Sequence, residues 1–292
     1  MRFPPLDTAI LADFMMQACR ASDRPQSILR CLSASLSSVY EACDLPNLTS
    51  DPFIVRLSTA IVKSRTRLPM QRSRVMDISA FMRMFRAWPA NDALSIKQLR
   101  LKTITLLAMA LMLRPSDIAP QARMFHADSG LSSRFVMSTD QVTFCSDGSV
   151  KVSFLGIKND LHRTGFVVTL PPSADVTTDP VDALRSYIAS TDRWRCPVTK
   201  PLFIGLHRPH RAISASSVAQ VLAEAIAAAE SFGLQPGHRP KDFRPTGATE
   251  AVRLGVDADT VQQLGRWKTR SVFLDHYVHR KVPESFTDDL LQ

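Results

Sequence analysis

The amino-acid sequence predicts a mainly α-helical protein with one small β-sheet, organised in two parts. Apolar residues recur at helical spacing in residues 6–62 and again in most of the chain after residue 76. Between residues 141 and 170, three short stretches instead alternate apolar and polar side chains, which is typical of β-strands. A basic stretch, residues 63–74, has five cations and no acidic residue, and it separates the two helical parts.

The composition is that of a globular protein with a positive charge. Of the 292 residues, 45% are hydrophobic and 22% are charged, enough apolar content to fill one large or two modest domains. The longest apolar run, residues 106–113, is far shorter than the roughly 20 residues of a membrane-spanning helix. Residues 1–10 contain no signal-peptide core, so we expect a soluble intracellular protein. The formal net charge of +9 favours a polyanionic partner.

The five cysteines show neither the spacing of zinc ligands nor a disulfide framework. We expect free thiols that are buried, in a reducing compartment. They are Cys19, Cys31, Cys43, Cys145 and Cys196.

Three apolar stripes in the first part predict a small helical bundle. The stripes are Leu6, Ile10, Leu11, Phe14 and Met15; Ile28, Leu32, Leu36, Val39 and Tyr40; and Phe53, Val55, Leu57, Ile61 and Val62. We place this helical domain in residues 1–66, a basic linker in residues 67–75 and a larger domain in residues 76–292. The cations around the linker suit either contact with phosphates or a solvated surface loop. They are Lys63, Arg65, Arg67, Arg72 and Arg74.

The larger domain combines helices with three strands. Helical patterns occur at residues 77–88, 99–112, 181–188, 214–229, 246–254, 257–264 and 271–278. The alternating stretches are residues 141–145, 149–155 and 165–170, and they predict a three-stranded sheet. Asp147-Gly148, between the first two strands, is a hairpin turn signal.

Four separated places in this domain carry residues suited to chemistry, although the Walker loop, G-x-G-x-x-G, H-E-x-x-H and G-x-S-x-G motifs do not occur. They are Arg114-Pro-Ser-Asp117 after a buried helix, Gly-Ile-Lys158-Asn between the second and third strands, Lys241-Asp-Phe-Arg244 at a helix start, and Gly265-Arg-Trp267 followed by Tyr277. Taken singly, each has an ordinary interpretation as a surface cation or a packed aromatic residue.

Together and in this order, these motifs resemble those of the tyrosine recombinase (phage-integrase) family. The resemblance covers residues 77–292 and includes the family's R-x-x-[ED], its hairpin lysine, its H-x-x-R, its L-G-[HW] and its C-terminal tyrosine. The helical first domain fits the family's SAM-like core-binding domain. The G-R-W…F…Y form is similar to recombinases of eukaryotic mobile elements of the DIRS, Ngaro and crypton types.

Two features depart from the family pattern. Lys241 stands where most members have histidine, which weakens a role as general base, and His238 lies three residues upstream of it. Tyr277 follows Trp267 by ten positions, one more than in the common bacterial members.

The resemblance implies a helical core-binding domain followed by a catalytic domain, in which helices surround a three-stranded antiparallel sheet. It also implies a site-specific DNA recombinase or integrase that cuts and rejoins DNA through a 3′-phosphotyrosyl intermediate, without metal, ATP or another cofactor. The alternatives are a type IB topoisomerase-like nicking-closing enzyme and a catalytically inactive, domesticated DNA-binding protein.

The resemblance also implies a role for each motif residue. Arg114 and Arg244 bind the phosphate, and Tyr277 is the nucleophile. Asp117 orients Arg114 through a local ion pair, because an acid at a helix C-terminus is otherwise unfavourable. Lys158 is the general acid for the leaving 5′-oxygen.

Two more residues complete the catalytic set. Lys241 assists by charge and hydrogen bonding, and Trp267 either donates its indole N–H to the phosphate or packs beneath the site. The whole set is Arg114, Lys158, Lys241, Arg244, Trp267 and Tyr277.

We expect double-stranded DNA as the partner, bound through its phosphates in a salt-dependent way. The expected DNA-binding cations are Lys63, Arg65, Arg67, Arg72, Arg74, Arg163, Arg239, Lys268 and Arg270. The resemblance implies a homo-tetramer on DNA, weak or monomeric without it, with no membrane and no small-molecule cofactor. The expected location is the nucleus for a eukaryotic mobile element and otherwise the cytoplasm or nucleoid. The tail after Tyr277 either docks on a neighbouring protomer or packs back on its own domain.

Overall fold

The computed structural model describes most of the chain. The described residues are 4–20, 22, 25–64, 74–119, 124–125, 132–133, 137–154, 166–267 and 269–278. By its internal contacts the chain divides into two compact units, Met1–Gln71 and Arg72–Gln292. Most of the predicted linker, residues 67–75, lies outside the described residues.

The described part of the first unit is a bundle of helices. Its helices are α1 (Thr8–Arg20), α2 (Pro25–Ala42) and α3 (Pro52–Ser64), with a short 3₁₀ turn at Leu48–Ser50. α1 packs against both α2 and α3 around an apolar core. Tyr40 is buried in that core, and its hydroxyl donates to the carbonyl oxygen of Pro5 over 2.6 Å.

The three predicted stripes correspond to these three helices, but some of their members face solvent. Leu6, Ile10, Phe53 and Val55 are exposed. In α3 the buried residue is instead Ile54, between two of the exposed ones. The prediction that residues 53 and 55 share a buried stripe was wrong, because side chains two positions apart lie on different sides of a helix.

The second unit is mainly helical. Its helices are α4 (Ile78–Arg86), α5 (Ile96–Ala110), α6 (Pro115–Ile118), α7 (Pro180–Thr191), α8 (Ala215–Glu230), α9 (Phe243–Arg253), α10 (Ala258–Leu264) and α11 (Arg270–Tyr277). α5 is buried along most of its length and packs against α7, α8 and α9. The apolar run at residues 106–113 therefore contributes to the centre of the core.

Polar residues at their N-termini explain where several helices begin. The carboxylates of Asp77 and Asp179 each accept a backbone N–H two residues further on, at the starts of α4 and α7. Ser95 and Gln98 form a capping box at the start of α5. Asp257 caps α10 in the same way as the two aspartates.

α9 begins at Phe243, within the Lys241–Arg244 motif that the sequence places at a helix start and three residues before the helical pattern of residues 246–254. Pro245 lies in its first turn, where the missing N–H of proline is tolerated. A 3₁₀ turn, Pro240–Asp242, leads directly into the helix. This early start places Arg244 in the first turn of α9.

A two-stranded antiparallel pair follows α6 in the sequence and precedes the predicted sheet. Its strands are β1 (Met124–Phe125) and β2 (Ser132–Ser133). The sequence analysis missed this pair, because strands of two residues are too short to show an alternating pattern.

The predicted three-stranded antiparallel sheet is confirmed. Its strands are β3 (Val142–Phe144), β4 (Val150–Phe154) and β5 (Phe166–Leu170), in the spatial order β3-β4-β5. Val152 pairs with a valine on each side, Val142 in β3 and Val168 in β5. The predicted hairpin turn is also present, with Gly148 at a φ of +85° that favours glycine.

None of the five cysteines is joined in a disulfide, and only Cys19 is buried. Cys31, Cys43 and Cys196 are exposed and Cys145 is half-buried. The expectation of buried thiols was wrong because these four residues lie on the solvent side of α2, at helix and strand ends, or in a loop.

Neither a membrane span nor a metal cluster occurs in the described ranges. None of the helices there is long and apolar enough to cross a membrane. The same ranges contain no group of three or more His, Cys, Asp or Glu side chains placed to hold a metal ion.

Candidate active site

Arg244 is a buried arginine whose guanidinium is held by backbone atoms. Its side chain is 3% exposed. Its Nη1 donates to the carbonyl oxygen of Met112 over 2.6 Å, and its Nη2 donates to the carbonyl oxygen of Gly265. Met112 has a φ of +51° just after α5, and Gly265 follows α10 directly. Two chain turns, far apart in sequence, thus fix the plane of one guanidinium.

Close packing of α9 on α5 brings this arginine to Met112. A Cβ atom built on Gly247 of α9 would lie 2.3 Å from the carbonyl oxygen of Met109 in α5, far inside a normal contact. Thr246 adds two bonds: its hydroxyl donates to the carbonyl oxygen of Asp242 and accepts the N–H of Met76 over 2.9 Å. Only glycine fits at position 247, so this residue sets how near Arg244 comes to the end of α5.

Asp117 is the acidic partner of the cluster. Its Oδ2 accepts the backbone N–H of Arg114 over 2.9 Å, as the capping residue of the short helix α6. The same oxygen lies 3.3 Å from Nη2 of Arg266 and 3.9 Å from Nη1 of Arg244. Asp117 therefore joins three segments that the chain separates widely.

The expected local ion pair between Asp117 and the Arg114 guanidinium does not form among the described residues. The contact to Arg114 is through its backbone N–H, and the ion pairs of Asp117 are with Arg244 and Arg266. The reason is the geometry of α6, which turns the carboxylate back to its own N-terminus, where an acid is favourable. The prediction treated Asp117 as a C-terminal residue of the preceding helix, whereas it lies in the first turn of α6.

The cluster carries an excess of positive charge. Burial lowers the pKa of Arg244, and the nearby guanidinium groups of Arg114 and Arg266 lower it further, while Asp117 opposes them. Burial likewise lowers the pKa of Arg266, again against the effect of Asp117. The guanidinium groups of Arg244 and Arg266 share the one carboxylate of Asp117, and Arg114 adds a further positive charge near Arg244, so the arrangement favours an added anion.

Several buried polar atoms of the cluster have no hydrogen-bond partner among the residues that the structure describes. They are Nε of Arg244, Nε and Nη1 of Arg266, Nε1 of Trp267 and Oδ1 of Asp117. Leaving a buried donor unsatisfied costs about 1–3 kcal/mol. Four of the five atoms are N–H donors, so an oxyanion such as a phosphate suits them chemically.

Trp267 and Tyr277 lie against the same arginine. The Cζ of Arg244 is 4.3 Å from the Trp267 ring centroid and 5.7 Å from that of Tyr277, and the two rings are 4.8 Å apart. Tyr277 is the last residue of α11, and its carbonyl oxygen accepts the hydroxyl of Thr249 over 3.0 Å. The predicted Arg244, Trp267 and Tyr277 are therefore brought together.

Gly265 is required by the position of the tryptophan. A Cβ atom built there would lie 1.6 Å from a ring carbon of Trp267. The ring folds back over the glycine and packs on Phe273 with centroids 4.8 Å apart. Trp267 is largely buried and its indole nitrogen is unpartnered. The structure is compatible with both predicted roles of Trp267, packing beneath the site and donating its indole N–H to a phosphate, because the ring packs while its N–H has no partner among the described residues.

Tyr277 differs from the other two tyrosines of the chain. Tyr40 and Tyr187 are fully buried, and burial raises the pKa of both phenols. The Tyr187 hydroxyl accepts the backbone N–H of Ile204 over 3.2 Å. Tyr277 is only half-buried. Of the three tyrosines, Tyr277 alone is partly exposed.

Lys241 lies on the exposed side of the 3₁₀ turn Pro240–Asp242, and no ion pair joins it to a described residue. His238 is the more buried neighbour, with its Nδ1 3.8 Å from Oδ2 of Asp242. That oxygen also accepts the backbone N–H of Arg239 over 2.9 Å. Lys241 is thus free to meet a ligand, whereas His238 is part of the local structure of the turn.

Lys158 lies outside the described residues, in the segment 155–165 between β4 and β5. The strand ends beside that segment are described: Phe154 and Phe166 are cross-strand partners. The Cζ of Arg266 lies 5.0 Å from the Phe154 ring centroid and 5.7 Å from that of Phe166. The base of the hairpin is therefore in contact with the arginine cluster.

The predicted DNA-binding cations are only partly described. Lys63 is exposed at the end of α3 in the first unit, and Arg239 is exposed before α9. Arg74 donates to the carbonyl oxygen of Gly237 over 3.0 Å, and Arg270 pairs with an aspartate of α10. The others lie outside the described residues: Arg65, Arg67, Arg72, Arg163 and Lys268.

Arg266 is the site residue that sequence reasoning missed. It stands between Gly265 and Trp267 in a motif that the sequence analysis used, but without a role of its own. Its partner Asp117 is 149 positions away, so no spacing in the sequence links the two. The only sequence signal is an extra arginine within a family motif.

Solved structures with the same architecture include DNA recombinases. The integrase of the Tn1549 transposon, in complex with transposon right end DNA, has a TM-score of 0.58 and 11% identity, covering 100% of this chain and 86% of that one. The XerH site-specific recombinase, bound to difH substrate, has a TM-score of 0.55 and 10% identity over 99% of this chain and 71% of that one. The XerA recombinase has a TM-score of 0.50 and 13% identity over 97% and 88%.

Comparison of the sequence alone gives no relative: no protein-family model and no curated protein matches it. The structural likeness nevertheless defines the class of fold. The chain has the tyrosine recombinase fold, with a helical first unit and a second unit in which helices surround a three-stranded antiparallel sheet.

Proposed function

We propose that this protein is a site-specific DNA recombinase or integrase that cuts and rejoins DNA through Tyr277. The observation that carries the proposal is the buried guanidinium of Arg244, fixed by two backbone carbonyls beside the rings of Trp267 and Tyr277. The fold supports it, because its structural relatives include recombinases and a transposon integrase in complex with DNA.

In the proposed reaction the phenolic oxygen of Tyr277 attacks a backbone phosphorus. A phosphorus–tyrosine bond forms, the phosphorus–O5′ bond breaks, and the products are a 3′-phosphotyrosyl link and a free 5′-hydroxyl. The phenolic proton passes to solvent, and the leaving oxygen takes a proton, for which Lys158 is the proposed donor. The covalent link conserves the phosphodiester for rejoining, so the scheme needs neither ATP nor a metal ion.

The arginines stabilise the transition state in this scheme. The pentacoordinate phosphorus carries extra negative charge on its non-bridging oxygens, and Arg114 and Arg244 are the proposed donors to them. Preorganised donors of this kind contribute about 3–4 kcal/mol each. Trp267 holds one face of Arg244, and Lys241 adds charge at the rim.

DNA binding and assembly extend the proposal. The net charge of +9 supports binding to DNA phosphates with strong salt dependence. Recombination of two duplexes requires that cleaved ends be exchanged between sites, for which a homo-tetramer on DNA is the proposed assembly. Counting protomers on DNA by mass photometry tests it: four protomers on two duplexes support it, and a single protomer on one duplex contradicts it.

The experiment that tests the proposed activity is covalent trapping. A target duplex is first selected from a randomised library by binding, and a nicked version of it is incubated with the protein in EDTA. We expect a protein–DNA band on a denaturing gel that Tyr277→Phe abolishes and Tyr187→Phe leaves.

The other outcomes point to other functions. Tight binding without any covalent band, with the wild-type chain, would indicate a DNA-binding protein without turnover. A band together with plasmid relaxation, but without strand exchange between two sites, would indicate a type IB topoisomerase-like enzyme.

A further inference from the structure

We infer that Arg266 is a positioning residue that holds the Asp117 carboxylate away from Arg244. This inference deepens the proposed function and rests on it. Arg266 has no part in the reaction scheme above, yet it lies beside Asp117 with only 9% of its side chain exposed. Its guanidinium is directed at the Asp117 carboxylate and at the rings of Phe154 and Phe166, so its effect on the site passes through these neighbours.

The Asp117 carboxylate lies closer to Arg266 than to Arg244. Its Oδ2 is 3.3 Å from Nη2 of Arg266 and 3.9 Å from Nη1 of Arg244. A carboxylate drawn fully onto Arg244 would neutralise the charge that a bound phosphate needs. Arg266 is the nearer partner and therefore keeps Arg244 available.

Arg266 is itself held from two sides. Its guanidinium stacks on the aromatic pair at the base of the β4–β5 hairpin, 5.0 Å from the Phe154 ring centroid and 5.7 Å from that of Phe166. Its backbone has a φ of +57°, which a residue with a side chain rarely adopts. The peptide between Gly265 and Arg266 also supplies the carbonyl oxygen that Nη2 of Arg244 binds.

This backbone conformation points to function rather than to packing alone. Strained backbone persists where surrounding contacts determine it, and it clusters at functional sites. At Arg266, one turn both aims a carbonyl at Arg244 and sends a guanidinium to Asp117. The Nε and Nη1 of Arg266 remain unpartnered and buried, so hydrogen bonding to the rest of the protein does not use the whole side chain.

The test is a cycle of variants in the covalent trapping assay. Arg266→Met removes the charge and keeps the bulk, which should let Asp117 move onto Arg244 and slow single-turnover cleavage by about tenfold or more. Adding Asp117→Asn removes the competing charge but keeps an acceptor for the N–H of Arg114. We expect the double variant to cleave faster than Arg266→Met alone.

The control is Arg253→Met, which removes an exposed arginine paired with Glu250 on α9 and should leave cleavage unchanged. If Arg266→Met does not fold, Arg266→Gln takes its place, because it lacks the charge but keeps a donor for Asp117. A double variant no faster than the single one, or cleavage by Arg266→Met at the wild-type rate, would overturn the inference.

A second readout separates this inference from the proposed function. The urea midpoints of wild type, Arg266→Met, Asp117→Asn and the double variant are measured without DNA. We expect the two single losses to sum to more than the loss in the double variant, because the residues are coupled. Additive losses would overturn the inference. If the wild-type chain formed no covalent adduct, the proposed function would be contradicted. The urea midpoints measured without DNA would still test the coupling of Arg266 to Asp117.

Discussion

The orientation of Arg244 depends on backbone carbonyls more than on its acidic neighbour. The oxygens of Met112 and Gly265 accept its two terminal nitrogens, while Asp117 lies at 3.9 Å. A carbonyl cannot titrate or change rotamer, so the guanidinium is held in one plane whether or not a ligand is bound. Arginine is suited to this place because its planar fork reaches two fixed acceptors at once.

Replacing that fork by a single ammonium tests whether its geometry matters beyond its charge. We expect Arg244→Lys to slow covalent cleavage by about 10²–10³-fold, the usual effect of removing one preorganised donor. The readout is the single-turnover rate of adduct formation on the trapped substrate. Arg253→Lys, on the exposed side of the same helix, is the matched control and should cleave at the wild-type rate. Equal rates for the two variants would contradict a role for the geometry of Arg244.

Gly265 provides a test of how tightly Trp267 is held. The added methyl group of Gly265→Ala would collide with the indole ring, at a cost of about 1–3 kcal/mol in the free energy of unfolding. We expect a lower urea midpoint and a changed tryptophan fluorescence spectrum. In the matched control Gly205→Ala, the new methyl group would meet its nearest neighbour at an ordinary 3.6 Å, so stability should stay near that of the wild type. An unchanged midpoint for Gly265→Ala would contradict this packing.

At the scale of elements, the site is assembled at the ends of helices. Arg114 precedes α6, Arg244 opens α9 and Tyr277 closes α11, while α5 supplies the buried support. Capping residues set where several of the helices begin. The approach of the site residues to one another depends instead on packing between helices, such as that of Gly247 on Met109. Small changes between helices are therefore expected to affect the site before they affect the fold.

Sequence patterns predicted that these helices and strands exist more accurately than they predicted where each one begins and ends. Alternation and the Asp147-Gly148 turn predicted the three-stranded sheet, because side chains of a half-buried strand have a period of two. The helical pattern at residues 246–254 begins three residues after the start of α9, whose first turn contains Pro245. The partners of Asp117 could not be predicted, because they depend on tertiary packing between segments more than 100 positions apart.

One contact between elements makes stability depend on pH. Asp175, before the 3₁₀ turn Val176–Thr178, accepts the hydroxyl of Thr177 and pairs with Arg86 of α4 at 2.8 Å. These bonds, with that of Thr177 first, hold the pKa of Asp175 well below its usual range. A lowered folded-state pKa stabilises the protein above the unfolded pKa of about 3.9 and loses that effect as the pH falls further.

We therefore expect Asp175→Asn to lower the free energy of unfolding at pH 5 to 7, and the difference from the wild type to shrink progressively as the pH falls below 4. Urea denaturation at pH 7, 5, 4 and 3 measures it. Thr177→Val removes the largest cause of the shift and should reduce the pH dependence of the wild type without abolishing it. A difference between wild type and Asp175→Asn that stays constant down to pH 3 would contradict the assignment.

At the scale of the whole molecule, the fold could be predicted from motif order although no protein-family model matches the sequence. Five short motifs in the expected order led to the tyrosine recombinase fold, and structures only 10–13% identical share it. The motifs are visible in sequence because chemistry fixes their residue types, whereas the packing around them accepts many apolar sequences. Arg266 was missed because its partner Asp117 lies 149 positions away in the sequence.

Tyr277 is the proposed nucleophile, and burial distinguishes it from the other two tyrosines. Tyr40 and Tyr187 are enclosed in the cores of the first and second units, and only Tyr277 lies half-buried beside the arginine cluster. The covalent adduct would therefore carry its DNA at a single, defined position.

The most direct measurement is mass spectrometry of the peptide that remains attached to DNA after trapping and trypsin digestion. The account predicts residues 271–280 linked through Tyr277 to a 3′-phosphate, with a free 5′-hydroxyl on the other DNA end. A link to Tyr40, to Tyr187 or to any other residue, or a link through a 5′-phosphate, would contradict it.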